Sequence, residues 1–275
     1  MRKIKNVAII LLVLFILCVL IFYLERMSFF SSRPIELFEN NNQTQKIEMV
    51  IARYAEDMEW IKNPPYNEFS YIVYNKGKNE QYEKTDKFVK EVKLPNVGRE
   101  THTYLYHIIE NYDNLADLTI FLPGSIELEH KTESSKKMFA DMKEKNYKGS
   151  FMFCTMDDSQ TLVTQKSFYT SLYGASNPKN MQENGDITMK ESAHRPFDNW
   201  YAHHFGDKNK EYTCYSRNAI FAISKATILD KSKSYYEDLI KTVDSHHNHE
   251  DVHFFERAWN TVFYPYIDGI TITRS

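Results

Sequence analysis

Apolar and polar positions divide the chain into two unequal parts. Residues 7–24 form one run without a charged side chain, whereas the later apolar segments are short and separated by polar turns. A run of about eighteen residues is close to the shortest that spans a bilayer as a helix. Arg2, Lys3 and Lys5 precede it, and under the positive-inside rule they keep residues 1–6 in the cytoplasm. The pattern predicts one N-terminal transmembrane helix, with the rest of the chain across the membrane.

A cleaved signal peptide is the alternative interpretation of this run. The run is longer than a usual signal-peptide core and no small-x-small cleavage site follows it, so the uncleaved anchor is favoured. Residues 25–45 are polar and without periodicity, as in a stem, and contain the sequon Asn42-Gln43-Thr44. Asn42 would be glycosylated if the stem faces a lumen. We expect a single-pass type II membrane protein whose main domain, residues 46–275, lies in the Golgi or ER lumen or on a cell or virion surface.

Beyond the stem, the apolar period alternates between that of a strand and that of a helix. Alternating or continuous apolar segments predict strands at 46–54, 67–77, 88–96, 117–125, 148–158, at the start of 217–229 and at 266–275. Segments with one apolar face predict helices at 100–115, 235–243 and 250–263. Residues 159–211 show no clear period. Strands that alternate with helices indicate an α/β domain with a mostly parallel sheet flanked by helices.

Composition narrows the classes of function. The 275 residues are 42% hydrophobic and carry a formal net charge of -3, which is typical of a globular domain with a full core. No basic stripe stands out beyond the first residues, so a nucleic-acid partner is not expected. Cys18 lies in the predicted transmembrane segment. The other two cysteines are Cys154 and Cys214, and the sequence alone does not show whether they form a disulfide.

The segment HEDVH at 249–253 matches H-E-x-x-H, in which two histidines one helical turn apart bind zinc and the glutamate acts as a base. A protein zinc site needs a third ligand. After Glu256 the sequence contains no histidine, and Asp268 is its one carboxylate. One face of the predicted helix is apolar and is expected to pack inward: Val252, Phe255, Trp259 and Val262. A zinc hydrolase therefore stays as a third alternative.

One long motif resembles a known family. In the stretch KLPNVGRETHTYLYHIIENYDNLADLTIFLPGS, Asn96-x-Gly98-Arg99-Glu100 is followed by Thr103-Tyr104-Leu105 and Asn111-Tyr112-Asp113. This pattern closely resembles the uncharacterised family called domain of unknown function 3431. The segments VIARYAEDMEWI and FFERAWNTVF are similar to its opening strand and its closing helix. The resemblance covers residues 47–264 and by itself implies no activity.

The order of these blocks is also similar to that of GT-A glycosyltransferases, with an opening strand, the YNKG turn, an N-x-G turn into a helix and a central strand. A type II anchor, a stem and a lumenal domain are likewise typical of Golgi glycosyltransferases. The resemblance implies a nucleotide-sugar donor at the carboxyl ends of the strands and a glycan acceptor. By position, the donor-binding candidates are Tyr54, Asn75, Asn96, Gly98, Arg99 and Glu100.

Two sets of candidate residues also have a purely structural interpretation. Asn96, Gly98 and Arg99 enter a helix whose amides and dipole favour phosphate, but they equally suit a tight turn in which Arg99 pairs with a surface acid. The resemblance also implies an acidic general base near the end of the domain, for which the candidates are Glu250, Asp251 and Glu256. For Glu256, an ion pair with Arg257 that orients the helix is the alternative.

The metal-binding motif that the GT-A resemblance implies is absent from its expected place after the central strand. GT-A enzymes usually carry D-x-D after the central strand, where the carboxylates hold Mn²⁺ or Mg²⁺ on the diphosphate. Here residues 121–125 read FLPGS. Asp157 and Asp158, one strand later, are weak metal candidates, because paired acids in a loop commonly face water. Without a metal, Arg99 or a nearby lysine would have to neutralise the leaving diphosphate.

These patterns favour a membrane-anchored, GT-A-like α/β protein that transfers a sugar from a nucleotide-sugar donor to a glycan or glycoprotein acceptor. The first alternative is a non-catalytic carbohydrate-binding or structural surface protein that retains the fold. Whether a nucleotide sugar binds distinguishes the two.

Overall fold

The structure is a computed structural model that describes residues 45–154, 166–172, 187–206, 215–216 and 218–274. The predicted anchor at 7–24, the stem and the sequon at Asn42 lie outside these residues, so they remain predictions. Within the described ranges, no helix has both the length and the apolar character needed to cross a membrane. From Gln45 onward the chain forms one compact unit.

The described residues contain a seven-stranded sheet of order β3-β2-β1-β4-β6-β5-β7. The strands are β1 (Ile47–Arg53), β2 (Ser70–Asn75), β3 (Phe88–Lys93), β4 (Leu118–Pro123), β5 (Ser150–Cys154), β6 (Phe221–Ser224) and β7 (Ile270–Arg274). β1 pairs in parallel with β2 and β4, β2 with β3, and β5 with β7. β6 is antiparallel to both of its neighbours. The prediction of a mostly parallel α/β sheet is confirmed.

Helices cover the sheet. They are α1 (Arg99–Glu110), α2 (Glu129–Glu144), α3 (Phe197–Phe205), α4 (Lys225–Leu229), α5 (Lys233–Ile240) and α6 (Glu250–Val262), with 3₁₀ turns at Glu59–Lys62, Tyr66–Glu68 and Tyr112–Asn114. The helices predicted from periodicity correspond to α1, α5 and α6. α2 was not predicted, because Met138, Phe139 and Met142 are its only buried apolar residues among 16 positions.

Alternating strand side chains supply two cores, one on each face of the sheet. Val50 and Tyr74 point into the core that contains residues of α1, α3, α5 and α6. Ile51 and Val73, each one position away, point into the core that contains the buried residues of α2. This alternation follows from the two-residue period of a strand. Strands buried on both faces explain why their sequences read as continuous apolar runs.

The inward face predicted for α6 is confirmed. Val252, Phe255, Trp259 and Val262 have no exposed surface. The ring of Trp259 lies 5.0 Å from that of Phe221 on β6, measured between centroids. α6 thus packs on the sheet through Trp259, whereas Phe255 packs on α3, with its ring 5.0 Å from that of Trp200.

Candidate functional site

The carboxyl ends of β1 to β4 lie at one edge of the sheet, because these strands run parallel. From β1 the order continues to β2 and β3 on one side, whereas β4 lies on the other side. The strand order therefore reverses between β1 and β4, and open α/β sheets bind ligands at such a point, outside the carboxyl ends. The segments that follow these strands form the candidate site: 54–58, 76–80, 94–98 and 124–128.

Arg53, the last residue of β1, ties these loops together. Its side chain is 1% exposed. Nε donates to the Glu56 carbonyl at 2.7 Å, and Nη1 donates to Asn75 Oδ1 at 2.9 Å and to the Asn79 carbonyl at 2.6 Å. Burial lowers the pKa of Arg53, although the nearby charge of Glu56 opposes that shift. Arg53 was not predicted, because an arginine that ends an apolar strand carries no motif.

Asn75, a predicted donor-binding residue, is also enclosed, with 1% of its surface exposed. Its Oδ1 accepts from Arg53 and from the Gly77 amide at 3.0 Å. Its Nδ2 donates to the Asn79 carbonyl and to Glu91 Oε1, both at 3.2 Å. Both ends of the amide are therefore used within the protein, and Asn75 shapes the loop that follows β2.

The backbone at Tyr54 is contacted by the Glu56 side chain and by Gly77. The amides of Tyr54 and Ala55 donate to Glu56 Oε2 at 2.7 and 3.0 Å. A Cβ on Gly77 would lie 1.7 Å from the Tyr54 carbonyl oxygen, so only glycine allows the two loops to approach this closely. The half-buried Tyr54 side chain is thus placed on a fixed turn at the edge of the sheet.

The segment after β4 does not offer the ligand set of a divalent cation. Its side-chain oxygens belong to Ser125 and to the exposed Glu127, and Lys131 Nζ donates to Ser125 Oγ at 2.8 Å. Gly124 is occupied through its backbone, since its amide donates to the Ala52 carbonyl at 2.7 Å and its carbonyl accepts from Trp60 Nε1 at 2.7 Å. A hard cation requires several oxygen ligands, and among the described residues no group of three or more acidic, histidine or cysteine side chains could hold one. Asp157 and Asp158 lie outside the described residues.

Gly98 and Arg99 form the left-handed turn that begins α1. Their φ angles are +55° and +43°. A Cβ on Gly98 would lie 2.3 Å from the Val243 carbonyl oxygen, and the Gly98 amide donates to the His246 carbonyl at 2.9 Å. Gly98 therefore has a structural requirement, which is the close approach of the α1 N-terminus to the segment before α6.

Lys76 lies beneath this turn and was not predicted. It directly follows β2 and is 9% exposed. Its Nζ donates to the Val97 carbonyl at 2.6 Å and also to the Arg99 carbonyl. Burial lowers the pKa of Lys76 to about 7, and the charge of Glu100 opposes that shift. The sequence held no signal for its burial, because a lysine is expected to be exposed.

Arg99 brings two predicted segments together. Its Nη2 donates to Asn248 Oδ1 at 2.9 Å across 149 positions of sequence. Asn248 is 2% exposed and precedes the N-cap of α6, and its Nδ2 donates to the Thr188 carbonyl at 2.8 Å. Asn96 and Glu100, the other candidates of this turn, are half-buried. The turn before α1 and the start of α6 therefore meet at the carboxyl edge of the sheet.

Glu250 and Asp251, two candidates for the general base, are enclosed at the start of α6. Glu250 has no exposed surface, and its oxygens accept from the Thr170 amide at 2.8 Å and the Ser192 amide at 2.9 Å. Asp251 is 4% exposed and its Oδ1 accepts from Trp200 Nε1 at 2.7 Å. The positive end of the helix dipole also stabilises both carboxylates. They hold Thr170, Ser192 and Trp200 against α6.

Glu256, the third candidate, is more accessible. Its side chain is 15% exposed, and its Oε2 lies 3.8 Å from His253 Nδ1. Its neighbour Arg257 donates to the His253 carbonyl at 2.6 Å and stacks 3.4 Å from the centre of the Phe168 ring. In the described part of the chain, no group of three or more histidine, cysteine or acidic side chains is arranged to hold a metal ion.

Cys154, at the end of β5, is in a disulfide. Its partner lies outside the described residues. The sequence did not predict whether this disulfide forms, because two cysteines 60 positions apart can pair only if the fold brings them together.

The chain belongs to the family described as "Protein of unknown function (DUF3431)", whose model matches residues 49–267. This confirms the resemblance seen in the N-x-G-R-E block. No curated protein matches the sequence.

Two solved structures are similar over most of the chain but only distantly. One is 4-diphosphocytidyl-2C-methyl-D-erythritol synthase from Anaerococcus prevotii DSM 20548, at 12% identity and a TM-score of 0.35, covering 84% of this chain and 87% of that one. The other is CMP:2-keto-3-deoxy-manno-octonic acid synthetase complexed with CTP, at 10% identity and a TM-score of 0.35, covering 84% and 90%. At these values neither similarity supports a functional argument.

Proposed function

We propose that the protein is a membrane-anchored, GT-A-like glycosyltransferase that binds a nucleotide sugar at the carboxyl edge of its sheet. One observation carries the proposal, the contact of Arg99 with Asn248 at 2.9 Å. It joins the turn predicted to bind the donor to the start of α6, the helix on which Glu256 lies six positions after Glu250. A transferase needs these two functions side by side, because the acceptor oxygen must reach the donor sugar.

The base is assigned to Glu256. Its side chain is partly exposed, whereas Glu250 has no exposed surface and accepts on both oxygens, and Asp251 is 4% exposed and accepts on Oδ1. In the reaction, Glu256 takes the proton of an acceptor hydroxyl, the hydroxyl oxygen bonds to the sugar, and the bond to the diphosphate breaks with its electron pair. The acceptor is a glycan or a glycoprotein.

A non-catalytic carbohydrate-binding protein is the second candidate. The use of both Glu250 oxygens and of Asp251 Oδ1 within the protein favours it, because these buried atoms already accept hydrogen bonds. In that case the fold would bind a sugar ligand without turnover.

Donor binding is tested by thermal shift of the full-length protein with a panel of nucleotide sugars. A ligand at ten times its dissociation constant adds about 1.4 kcal/mol, which raises Tm by roughly 3–6 °C for a domain of this size. A bound donor whose turnover is lost in Glu256→Gln, but kept in the exposed control Glu129→Gln, supports the transferase. Binding without turnover in the wild type supports the second candidate, and no binding to any donor refutes the proposal.

The membrane anchor belongs to the same proposal. The apolar run at 7–24 supports it, and the disulfide at Cys154 is of the kind that persists in oxidising compartments outside the cytoplasm. Deleting residues 1–26 is expected to release the protein from membranes in a fractionation experiment. Continued pelleting of the deletion variant with membranes would contradict the anchor.

A further inference from the structure

Three large apolar side chains are exposed to water on two adjoining segments. Tyr264, Ile267 and Leu229 are 52%, 51% and 40% exposed. Tyr264 and Ile267 belong to the loop between α6 and β7, and Leu229 is the last residue of α4. The loop contacts α4 directly, because the Ile267 amide donates to Thr227 Oγ1 at 3.2 Å. The loop and α4 therefore form one stretch of surface with an exposed apolar content.

This surface lies at the amino edge of the sheet, opposite the candidate site. β6 is antiparallel to β4, and its last residue, Ser224, pairs with Leu118, the first residue of β4. α4 therefore begins at the amino end of β4. The loop after α6 leads into β7, whose first residue, Ile270, pairs with Ser150, the first residue of β5. Strands of about six residues separate this edge from the carboxyl edge by roughly 20 Å.

The chain enters the domain at this same edge. Lys46 directly precedes β1, and its amide donates to Asp117 Oδ2 at 2.8 Å. The Asp117 carbonyl accepts from the amide of Lys225 at 2.9 Å, and Lys225 is the first residue of α4. The covalent connection to the predicted membrane anchor therefore reaches the domain beside the helix that ends at Leu229.

A lipid surface is the occupant that fits this edge. Tyrosine is enriched where proteins meet the membrane interface, because its ring is apolar and its hydroxyl is polar. Ile267 and Leu229 add apolar contact, and the charges of Lys46 and Lys225 suit anionic headgroups. Three apolar residues bind lipid only weakly and are released once the anchor is removed. An anchor joined at the same edge keeps lipid at a high local concentration, which makes the weak contact persist.

We propose that the amino edge of the sheet, at Leu229, Tyr264 and Ile267, contacts the surface of the membrane that the anchor spans. This inference rests on the proposed function, of which the anchor is a part, and adds to it the orientation of the domain. The carboxyl edge, with Arg99 and Asn248, then faces away from the bilayer. The acceptor is accordingly a glycan that extends into the aqueous compartment, because a sugar attached directly to a lipid headgroup would lie at the opposite edge.

The experiment measures lipid contact by fluorescence quenching in the full-length protein, reconstituted into vesicles of phosphatidylcholine and phosphatidylserine. Tyr264→Trp places an indole at the proposed contact, and lipids brominated on their acyl chains quench an indole only at close range. Tyr169→Trp is the matched control, because Tyr169 is 65% exposed and precedes Thr170, which contacts Glu250 at the other end of α6. The native tryptophans are buried, and the wild type supplies their background.

We expect brominated lipid to quench Tyr264→Trp at least about threefold more than Tyr169→Trp, because roughly 20 Å of helix separates the two positions. Adding Ile267→Glu to Tyr264→Trp should reduce the quenching, since a carboxylate resists entry into the apolar layer. Leu172→Glu is the control for that change, because Leu172 is 60% exposed and lies near Tyr169 in sequence. Circular dichroism establishes that each variant is folded.

A carbonate wash of the same vesicles makes the anchor and the lipid contact fail in different ways. Equal quenching of the two variants in protein that resists the wash overturns the contact and supports the anchor. Stronger quenching of Tyr264→Trp in protein that the wash removes supports the contact and overturns the anchor. Absence of both overturns both. An emission shift of Tyr264→Trp that follows protein concentration instead of lipid assigns this edge to a second copy of the chain and overturns the lipid contact.

Discussion

The hydrogen bonds that the Glu250 carboxylate accepts at the start of α6 give the sharpest test of the structure. Glu250 has no exposed surface and accepts one hydrogen bond on each oxygen, from the amides of Thr170 and Ser192. Its Oε2 also lies 3.2 Å from Arg195 Nε. In Glu250→Gln one of the two oxygens becomes an NH₂ group, which faces an amide donor. One buried N–H then loses its acceptor.

The magnitude follows from these contacts. A buried hydrogen bond to a charged group contributes about 1.5–3 kcal/mol. The contact with Arg195, whose side chain is 25% exposed, adds less than about 1 kcal/mol, because solvent screens it. We therefore expect Glu250→Gln to lower the free energy of unfolding by about 2–4 kcal/mol, which corresponds to a fall in Tm of roughly 4–16 °C.

Glu256→Gln is the matched control, because it makes the same chemical change on the same helix at a side chain that is 15% exposed and 3.8 Å from its partner. It should cost less than about 1 kcal/mol. Urea denaturation compares the two variants, and hydrogen exchange at the Thr170 and Ser192 amides locates the loss, with at least one amide exchanging faster in Glu250→Gln. Equal stability of the two variants would show that the hydrogen bonds of Glu250 do not contribute to stability as argued.

Three further predictions concern single residues. Gly98→Ala should destabilise by about 2–4 kcal/mol in urea denaturation, because its Cβ would lie 2.3 Å from a carbonyl oxygen at a positive φ. Gly269→Ala, also at positive φ but with nothing within 4 Å, should cost about 1 kcal/mol, and equal costs would refute the close approach. The lowered pKa of Lys76, about 7, means that the unfolded chain binds more protons than the folded one between that pH and the ordinary lysine pKa. The stability of the wild type relative to Lys76→Gln should therefore rise by roughly 2 kcal/mol from pH 7 to pH 9, and a flat or falling difference would contradict the burial of the ammonium. Cys154→Ser should lower stability by about 2–5 kcal/mol through loss of the disulfide, with reductant giving the same loss in the wild type and none in the variant.

The sequence by itself determined the features that depend on local periodicity. The apolar stripe of α6 and the face of α1 are visible as side chains three and four positions apart, and both faces are buried. Continuous apolar runs gave β1, β2 and β4, because strands covered on both sides of a sheet have no polar face. Membership of the family could also be recognised from the sequence, because its N-x-G-R-E block is contiguous.

Only the tertiary structure decided which polar groups lie inside. Glu250 and Asp251 carry the same side chains as surface acids, and their burial depends on Thr170, Ser192 and Trp200, which come from a distant segment without clear periodicity. The direction of β6 is likewise set by its connections and its neighbours.

The same reason explains Lys76. Its charge predicts exposure, and its burial results from the turn at Val97 to Arg99 folding over it. Local patterns report which side of an element faces the core, but the partners that make a buried charge tolerable are brought together only when the chain folds.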